Sequence, residues 1–356
     1  MINDYKFWKN KKVLITGHTG FKGSWLSLLL YNFEAKLYGY SLKPEKGHFF
    51  QKAKLNKIFI KSTYSNILNY QSLRNNIKKI KPQIIFHLAA QPLVVDSYKS
   101  PKDTFDVNLM GTLNLLEAIK KVKTINTVII ITTDKVYKIK KNNPYYSEKN
   151  PIGASDPYGT SKSCVELLSE SYKYSYFNDK KPSISTARAG NVIGGGDYSK
   201  NRIVPDYLNA KNFKKTLIIR NPKHIRPWQY VLEPLYGYTL LAKKKFFENK
   251  KQKFDSWNFA PNYKDSISVI NLVKLFQKSK SNKEKIRISL KKGKQLEKET
   301  SILKLSASKS KKNLNWRLKF SLQETIDKIL AWNDMVKSET VFKVSLKFVK
   351  DYINKN

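Results

Sequence analysis

Between two apolar stretches, Lys12–Thr16 (KVLIT) and Ser24–Asn32 (SWLSLLLYN), the chain places glycines at positions 17, 20 and 23. The first stretch is β-branched and reads as a buried strand; the second carries apolar residues at helical spacing. A strand that turns through glycine into a helix opens a βαβ unit. The first glycine makes the tight turn, the second lets the backbone approach a ligand, and the third lets the helix pack on the strand. The start of the helix then offers unpaired N–H groups and the positive end of a dipole to an anion. Gly17, His18, Thr19, Gly20, Phe21, Lys22 and Gly23 are therefore expected to cradle the pyrophosphate of a dinucleotide, with His18 a candidate contact to it. A glycine turn without a ligand has the same local pattern, so the rest of the chain must decide.

Short apolar runs alternate with helical ones along the first half. Strands are expected at Leu37–Tyr40, Phe59–Lys61, Ile84–Leu88, Val128–Thr132 and Ser183–Ala187, and helices at Tyr70–Ile80, Asp103–Val122 and Pro157–Tyr176. This is the rhythm of a doubly wound parallel α/β sheet of the Rossmann type. The rhythm changes after Gly190, where Gly194-Gly195-Gly196-Asp197 marks a turn. The expected organisation is a dinucleotide-binding domain over 1–187 with a returning segment at about 228–260, and a smaller mixed α/β substrate lobe over 188–227 and 261–356. Lys278–Thr300 reads as a polar, lysine-rich excursion, and the tail from Val336 shows only weak alternation.

The net charge of +41 invites a nucleic-acid reading. Arginine, the usual reader of phosphate forks and guanine edges, is confined to seven positions, and the lysines are spread along the chain. The charge is thus expected to be a surface bias, with neither nucleic acid nor membrane as partner. The one cysteine, Cys164, can form no internal disulfide, and no polar start followed by an apolar core reads as a signal peptide. These features point to the cytoplasm, and no metal cluster is expected.

Thr132-Thr133-Asp134-Lys135 ends the fifth strand, where open α/β sheets bind ligands. Tyr158 and Lys162 open the next helix four residues apart and therefore share a face. A lysine ammonium there would favour the phenolate and lower the tyrosine pKa, letting Tyr158 take a proton from a sugar hydroxyl while hydride moves to a nicotinamide. The acidic residue that usually holds the adenosine ribose is replaced by Tyr40-Ser41, so NAD and NADP both fit; Lys22 and Lys43 could meet a second phosphate. Asn66, followed by Ile67, stands where an acceptor for the adenine amine is expected.

The segments GHTGFKGSWLSLLL (17–30), FHLAAQPLV (86–94), NLMGTLNLLEA (108–118), TDKVY (133–137), DPYGTSK (156–162), ARAGNVIGGGD (187–197), IRNPKHIRPWQYVLEPLYGY (219–238) and WNFAP (257–261) closely resemble the sugar-nucleotide 4,6-dehydratases of the extended short-chain dehydrogenase/reductase class, and in particular their CDP-glucose branch. The resemblance runs from about residue 11 to 265 and thins beyond, with SKSKKNLNW (308–316) its clearest remnant. It implies a tightly held NAD, oxidation of the glucose at C4, elimination of water across C5–C6 and hydride return to C6, giving CDP-4-dehydro-6-deoxyglucose. Thr133, Asp134, Lys135, Tyr158 and Lys162 would be the catalytic residues, with Asp134 the acid for the departing 6-OH and Lys135 the C5 base. Leu88, Ala89, Ala90, Gln91 and Asn108 would join the cofactor site, Asn108 also orienting the catalytic helix. Asn191, Arg202, Arg220 and Arg226 would hold the nucleotide and its diphosphate, and the helices at 103–122 and 157–176 would pair two subunits into a homodimer.

Two other readings share parts of this pattern. A 4-epimerase keeps the Tyr/Lys pair but has no need of Asp134-Lys135, and a non-catalytic Rossmann regulator needs neither. The chain also departs from the family pattern: Val95-Asp96-Ser97-Tyr98 lacks an arginine, Tyr230 stands for a histidine and Ser306 for an aspartate.

Overall fold

Val13 sits opposite Leu37 on one side and Ile84 on the other, which puts the first strand in the middle of its sheet. A computed structural model describes residues 2–139, 145–178, 181–248, 253–282, 285–290 and 302–355. Its main sheet has seven parallel strands: β1 (Lys12–Thr16), β2 (Lys36–Ser41), β3 (Phe59–Tyr64), β4 (Ile84–His87), β5 (Thr127–Ile131), β6 (Ser183–Ala189) and β7 (Asp255–Phe259), in the order β7-β6-β5-β4-β1-β2-β3. This is the expected doubly wound fold. Chain order reverses between β1 and β4, which opens a crevice at their carboxyl ends. β4 and β5 are buried along their whole length, as central parallel strands with helices on both faces must be. Each buried Val or Ile side chain there contributes roughly 1.5–3 kcal/mol.

The flanking helices are α1 (Phe21–Asn32), α2 (Tyr70–Ile80), α3 (Gly111–Ile119), α4 (Pro157–Tyr176), α5 (Leu232–Phe247), α6 (Leu322–Met335) and α7 (Val341–Asn354). α2 starts where the Asn69 side chain accepts from the Ser72 N–H, and α4 where Asp156 accepts from Gly159 with Pro157 in the first turn. The helix expected over 103–122 runs from Pro101 to Ile119 and is not α-helical throughout. It begins at Pro101–Phe105, widens into a π-helical turn at Asp106–Met110 and resumes as α3. Such turns occur most often at functional sites, and Asn108 lies in this one.

The segment 228–260 supplies α5 and β7 to the main sheet, β7 pairing with β6 at Trp257↔Ala187. A smaller sheet of Asn191–Ile193, Ile225–Tyr230 and Ser266–Ser268 packs with the helices Ile203–Asn212, Val269–Lys278 and α6 around a separate core. Gly195 is clasped by two tryptophans of the main core: its carbonyl accepts from Trp25 of α1 at 2.9 Å, and a side chain at this position would run into the Trp332 ring of α6. Within 261–356, α7 packs apart from the smaller sheet: Val344, Phe348, Val349, Tyr352 and Ile353 join the core of the seven-stranded sheet, beside α1. In the lysine-rich stretch, Ile288–Leu290 pairs in parallel with Leu217–Ile219, while 283–284 and 291–301 lie outside the described residues.

Candidate active site

The glycine loop closes on the end of β4. Gly17 has a φ of +71°, and a Cβ there would lie 2.6 Å from the Ala89 nitrogen; one on Gly23 would lie 2.2 Å from the Gly17 carbonyl oxygen. Both positions are closed to any side chain. A Cβ on Gly20 would meet nothing nearer than the Gly17 oxygen at 3.4 Å, so this glycine faces open space at the head of α1. Leu88 and Ala89 are tied to β1, Leu88 N–H donating to the Thr16 carbonyl and Ala89 N–H to its hydroxyl. Ala90 and Gln91 continue this half-buried wall.

Several side chains in and near the loop differ from expectation. The His18 ring points away from the crevice into the core, between Gly39, Phe50 and Phe59, where burial lowers its pKa to about 4 and keeps it neutral. Lys22 does not turn toward the ribose. Its ammonium lies 5.8 Å from the Tyr238 ring and within the field of Asp134 and Arg202, and burial followed by the nearby Arg202 lowers its pKa to about 8. Where the acidic ribose hook is missing, the Thr19 and Ser41 hydroxyls share a 2.8 Å hydrogen bond. The exposed Asn66 side chain accepts from the Leu68 N–H, and the Ile67 side chain is buried beneath Gly111.

At the end of β5 the backbone makes a single 3-10 turn, Asp134–Val136, capped by Thr133. Asp134 is 2 % exposed. Its Oδ1 accepts from the Thr133 hydroxyl at 3.0 Å, while Oδ2 has no hydrogen-bond partner among the described residues. Burial raises the Asp134 pKa, against the opposing pull of Lys135, the Thr133 hydrogen bond, Arg226 and Lys22. Gly159 lets the first turn of α4 approach this loop: a Cβ there would stand 2.7 Å from the Lys135 carbonyl oxygen. Tyr158 thereby meets Thr133, whose side chain hydrogen-bonds the phenol.

Burial pushes the Tyr158 phenol up to about 12, and the first influence in the other direction is Thr133 rather than Lys162. Lys162 is itself buried; desolvation, then repulsion from Lys22, brings it down to about 7, and its Nζ donates to the Ile131 carbonyl at 3.2 Å. The downward influences on the phenol are Thr133 and then Arg202, in place of the expected Lys162. Asn108 holds the helix from below: its Oδ1 accepts from Gln91 N–H at 2.9 Å and its Nδ2 donates to the Ser161 hydroxyl at 2.9 Å.

The arginines fall into two groups. Arg202, 3.1 Å from the Asp197 carboxylate, and Arg226, buried and 3.1 Å from His224 Nδ1, both act on the Asp134–Tyr158 pair. Arg220 lies farther out, donating to Asn201 at 3.1 Å and facing Asp206. Asn191 lies on the strand beside Arg226's own, paired with Trp228. A cleft with this excess of guanidinium and ammonium groups suits a polyanionic ligand. Of the departures, Tyr230 is buried against Phe320, and Ser306 bonds its neighbour Ser308, the Tyr146 carbonyl and the Asn258 side-chain amide.

The sequence reading missed Glu166, Arg188 and Asp197. Glu166 was visible in the spacing, since Tyr158, Lys162 and Glu166 follow one another at four-residue intervals.

A family profile described as GDP-mannose 4,6 dehydratase matches residues 14–329. The CDP-glucose 4,6-dehydratase of Salmonella typhimurium is 39% identical over 99% of this chain and 98% of its own length. Among solved structures, the UDP-glucose 4-epimerase of Thermotoga maritima superposes with a TM-score of 0.77 at 21% identity, covering 92% of this chain and 99% of its own. The dTDP-glucose 4,6-dehydratase of Bacillus anthracis, solved in complex with NAD, gives 0.74 at 20% identity, covering 94% and 99%. At these identities the structures speak for the fold.

Proposed function

The chain belongs to the GDP-mannose 4,6-dehydratase family of sugar-nucleotide enzymes, and from that premise we propose that it is a lyase converting CDP-glucose to CDP-4-dehydro-6-deoxyglucose. The observation that carries this reading is the buried Oδ2 of Asp134, which has no hydrogen-bond partner among the described residues and lies next to Thr133 and Tyr158; burial raises the pKa of this carboxyl and so favours its acid form. A 4-epimerase needs the tyrosine but no such acid. The CDP-glucose branch is supported by the full-length match to the Salmonella enzyme.

The glycine cradle fits NAD: Gly17 and Gly23 are forced by contact, and Gly20 alone leaves room for a pyrophosphate. Bound there, NAD would accept hydride from sugar C4 and return it to C6. Tyr158 removes the 4-OH proton, with Thr133 beside the phenol and the positive field of Arg202 offsetting the cost of a buried phenolate, and Lys162 one turn along the same helix face. The 4-ketone so formed acidifies the C5 proton, which Lys135 takes in its neutral amine form. Asp134 delivers its proton to the departing 6-OH, which leaves as water, and a proton returns to C5 at the end of the cycle. Arg202, Arg220, Arg226 and Asn191 hold the diphosphate and nucleotide.

No helix among the described residues is long and apolar enough to cross a membrane. The proposed setting is the cytoplasm, and the proposed assembly a homodimer through α4 and the helices before it, where Met110, Tyr98 and Leu167 are 42%, 39% and 56% exposed. The deciding experiment is incubation with CDP-, UDP-, dTDP- and GDP-glucose, scored for a 4-keto product. Formation from CDP-glucose above the others is expected. An epimerised sugar with no loss of water would overturn the dehydratase reading.

A further inference from the structure

Glu166 and Arg188 form an ion pair 2% and 3% exposed beneath the catalytic centre. Every acceptor direction of the carboxylate is used. Oε1 accepts from the Thr132 hydroxyl at 2.5 Å and Arg188 Nε at 2.8 Å; Oε2 accepts from the Thr186 hydroxyl at 2.5 Å and Arg188 Nη2 at 2.9 Å. The guanidinium reaches on to the Tyr137 hydroxyl at 2.9 Å and the Ser256 hydroxyl at 2.8 Å, and Tyr137 donates to Asn258 at 2.7 Å.

Two consequences follow from where these partners lie. Thr132 and Tyr137 are the residues that flank Thr133–Val136, so both ends of the acid–base turn are fastened to one ion pair. Glu166 also shares the α4 face with Tyr158 and Lys162, and successive residues of β5 and its exit are bonded to that face: Ile131 by Lys162 and Thr132 by Glu166. Stability alone does not call for such an arrangement, because an apolar pair of similar volume is often as stable as a buried ion pair. What apolar side chains cannot supply is direction, and the rigid bidentate fork of an arginine supplies it.

We infer that Glu166 and Arg188 are positioning residues that hold the Thr133–Asp134–Lys135 turn in register with Tyr158 and Lys162, and so couple elimination to oxidation. The inference rests on the dehydratase reading for its kinetic part. The test uses the conservative variants Glu166→Gln and Arg188→Lys, since truncation would leave one charge buried alone. Steady-state kinetics on CDP-glucose, single-turnover formation of reduced nicotinamide, and backbone amide exchange are measured on each folded variant. The expected result is a fall in kcat of about 10- to 100-fold with KM within about twofold, a smaller loss in the oxidation step, and faster exchange confined to residues 133–137. A kcat within twofold of the unmodified enzyme with unchanged exchange at 133–137 would overturn the inference, and so would exchange that quickens across the whole chain. If the unmodified chain forms no 4-keto product, the dehydratase reading fails separately, and the exchange at 133–137 then decides the positioning role by itself.

Discussion

Asp134 stands where a side chain on residue 190 would go: a Cβ on Gly190 would lie 3.2 Å from Asp134 Oδ2 and 2.5 Å from Pro227 Cγ. The glycine at the end of β6 therefore keeps one face of the acid clear. Gly190→Ala should fold with a loss of about 1–3 kcal/mol, the range for overpacking a closed site. It should reduce elimination more than C4 oxidation, because the methyl group meets the carboxyl oxygen rather than the tyrosine. Thermal melts and single-turnover measurements check both halves, and equal losses in the two steps would contradict the assignment.

Asp134 and Lys135 are adjacent but carry different proton transfers in the proposed cycle. Asp134→Asn keeps the shape of the side chain and removes its proton; dehydration should fall by about 10²- to 10⁴-fold while reduced nicotinamide still forms on mixing with CDP-glucose. Lys135→Met should abolish exchange of the C5 proton with solvent deuterium. Full C5 exchange in that variant, read by mass spectrometry, would assign the base elsewhere.

The glycine loop separates fold from ligand. Gly23→Ala places a methyl 2.2 Å from the Gly17 carbonyl oxygen and should destabilise the chain strongly, with or without cofactor. Gly20→Ala meets no protein atom nearer than 3.4 Å, so its melting temperature without cofactor should stay close to that of the unmodified chain. Its affinity for NAD should fall by at least tenfold, because the methyl occupies the face left for the pyrophosphate. Isothermal titration with NAD distinguishes the two, and normal NAD affinity in Gly20→Ala would place the pyrophosphate elsewhere.

The strand–glycine–helix unit and the alternation up to Ala189 were legible because central parallel strands are continuous apolar runs and their helices repeat every 3–4 residues. The direction of side chains inside the loop was not. His18 and Lys22 are neighbours in a polar-looking motif, yet one ring is packed on Gly39 and the other chain bends into the catalytic cluster. Local sequence does not say which side of a turn is covered by β2 and β3. α7 was hidden by its lysines: Val344, Phe348, Val349 and Tyr352 keep helical spacing, but the intervening polar positions resemble a loose tail. The π-helical turn at Asn108 has no composition signal, and the partners of the Asn108 side chain, Gln91 and Ser161, are 17 and 53 residues away.

Buried ionisable groups give the chain two opposed pH trends. His18 and His87 have folded pKa values lowered from 6.5 to about 4 and about 3, chiefly by burial. The unfolded chain binds their protons first, so stability falls as pH drops below 6.5 toward those values. Glu233 acts in the other direction. Its carboxylate accepts from the Lys319 and Phe320 N–H groups and the Tyr352 hydroxyl, joining α5 to α7, yet burial raises its pKa from 4.5 to about 7. Here the unfolded chain loses its proton first, so stability falls as pH rises from about 4.5 to about 7. Glu233→Gln keeps an acceptor for the two N–H groups and cannot ionise. Its stability relative to the unmodified chain should therefore rise by up to about 3 kcal/mol between pH 4.5 and pH 8, a shift of a few degrees in melting temperature. The histidine contribution is common to both proteins and cancels in the difference. A difference that stays flat across that range would show that Glu233 ionises in the folded chain as readily as in water.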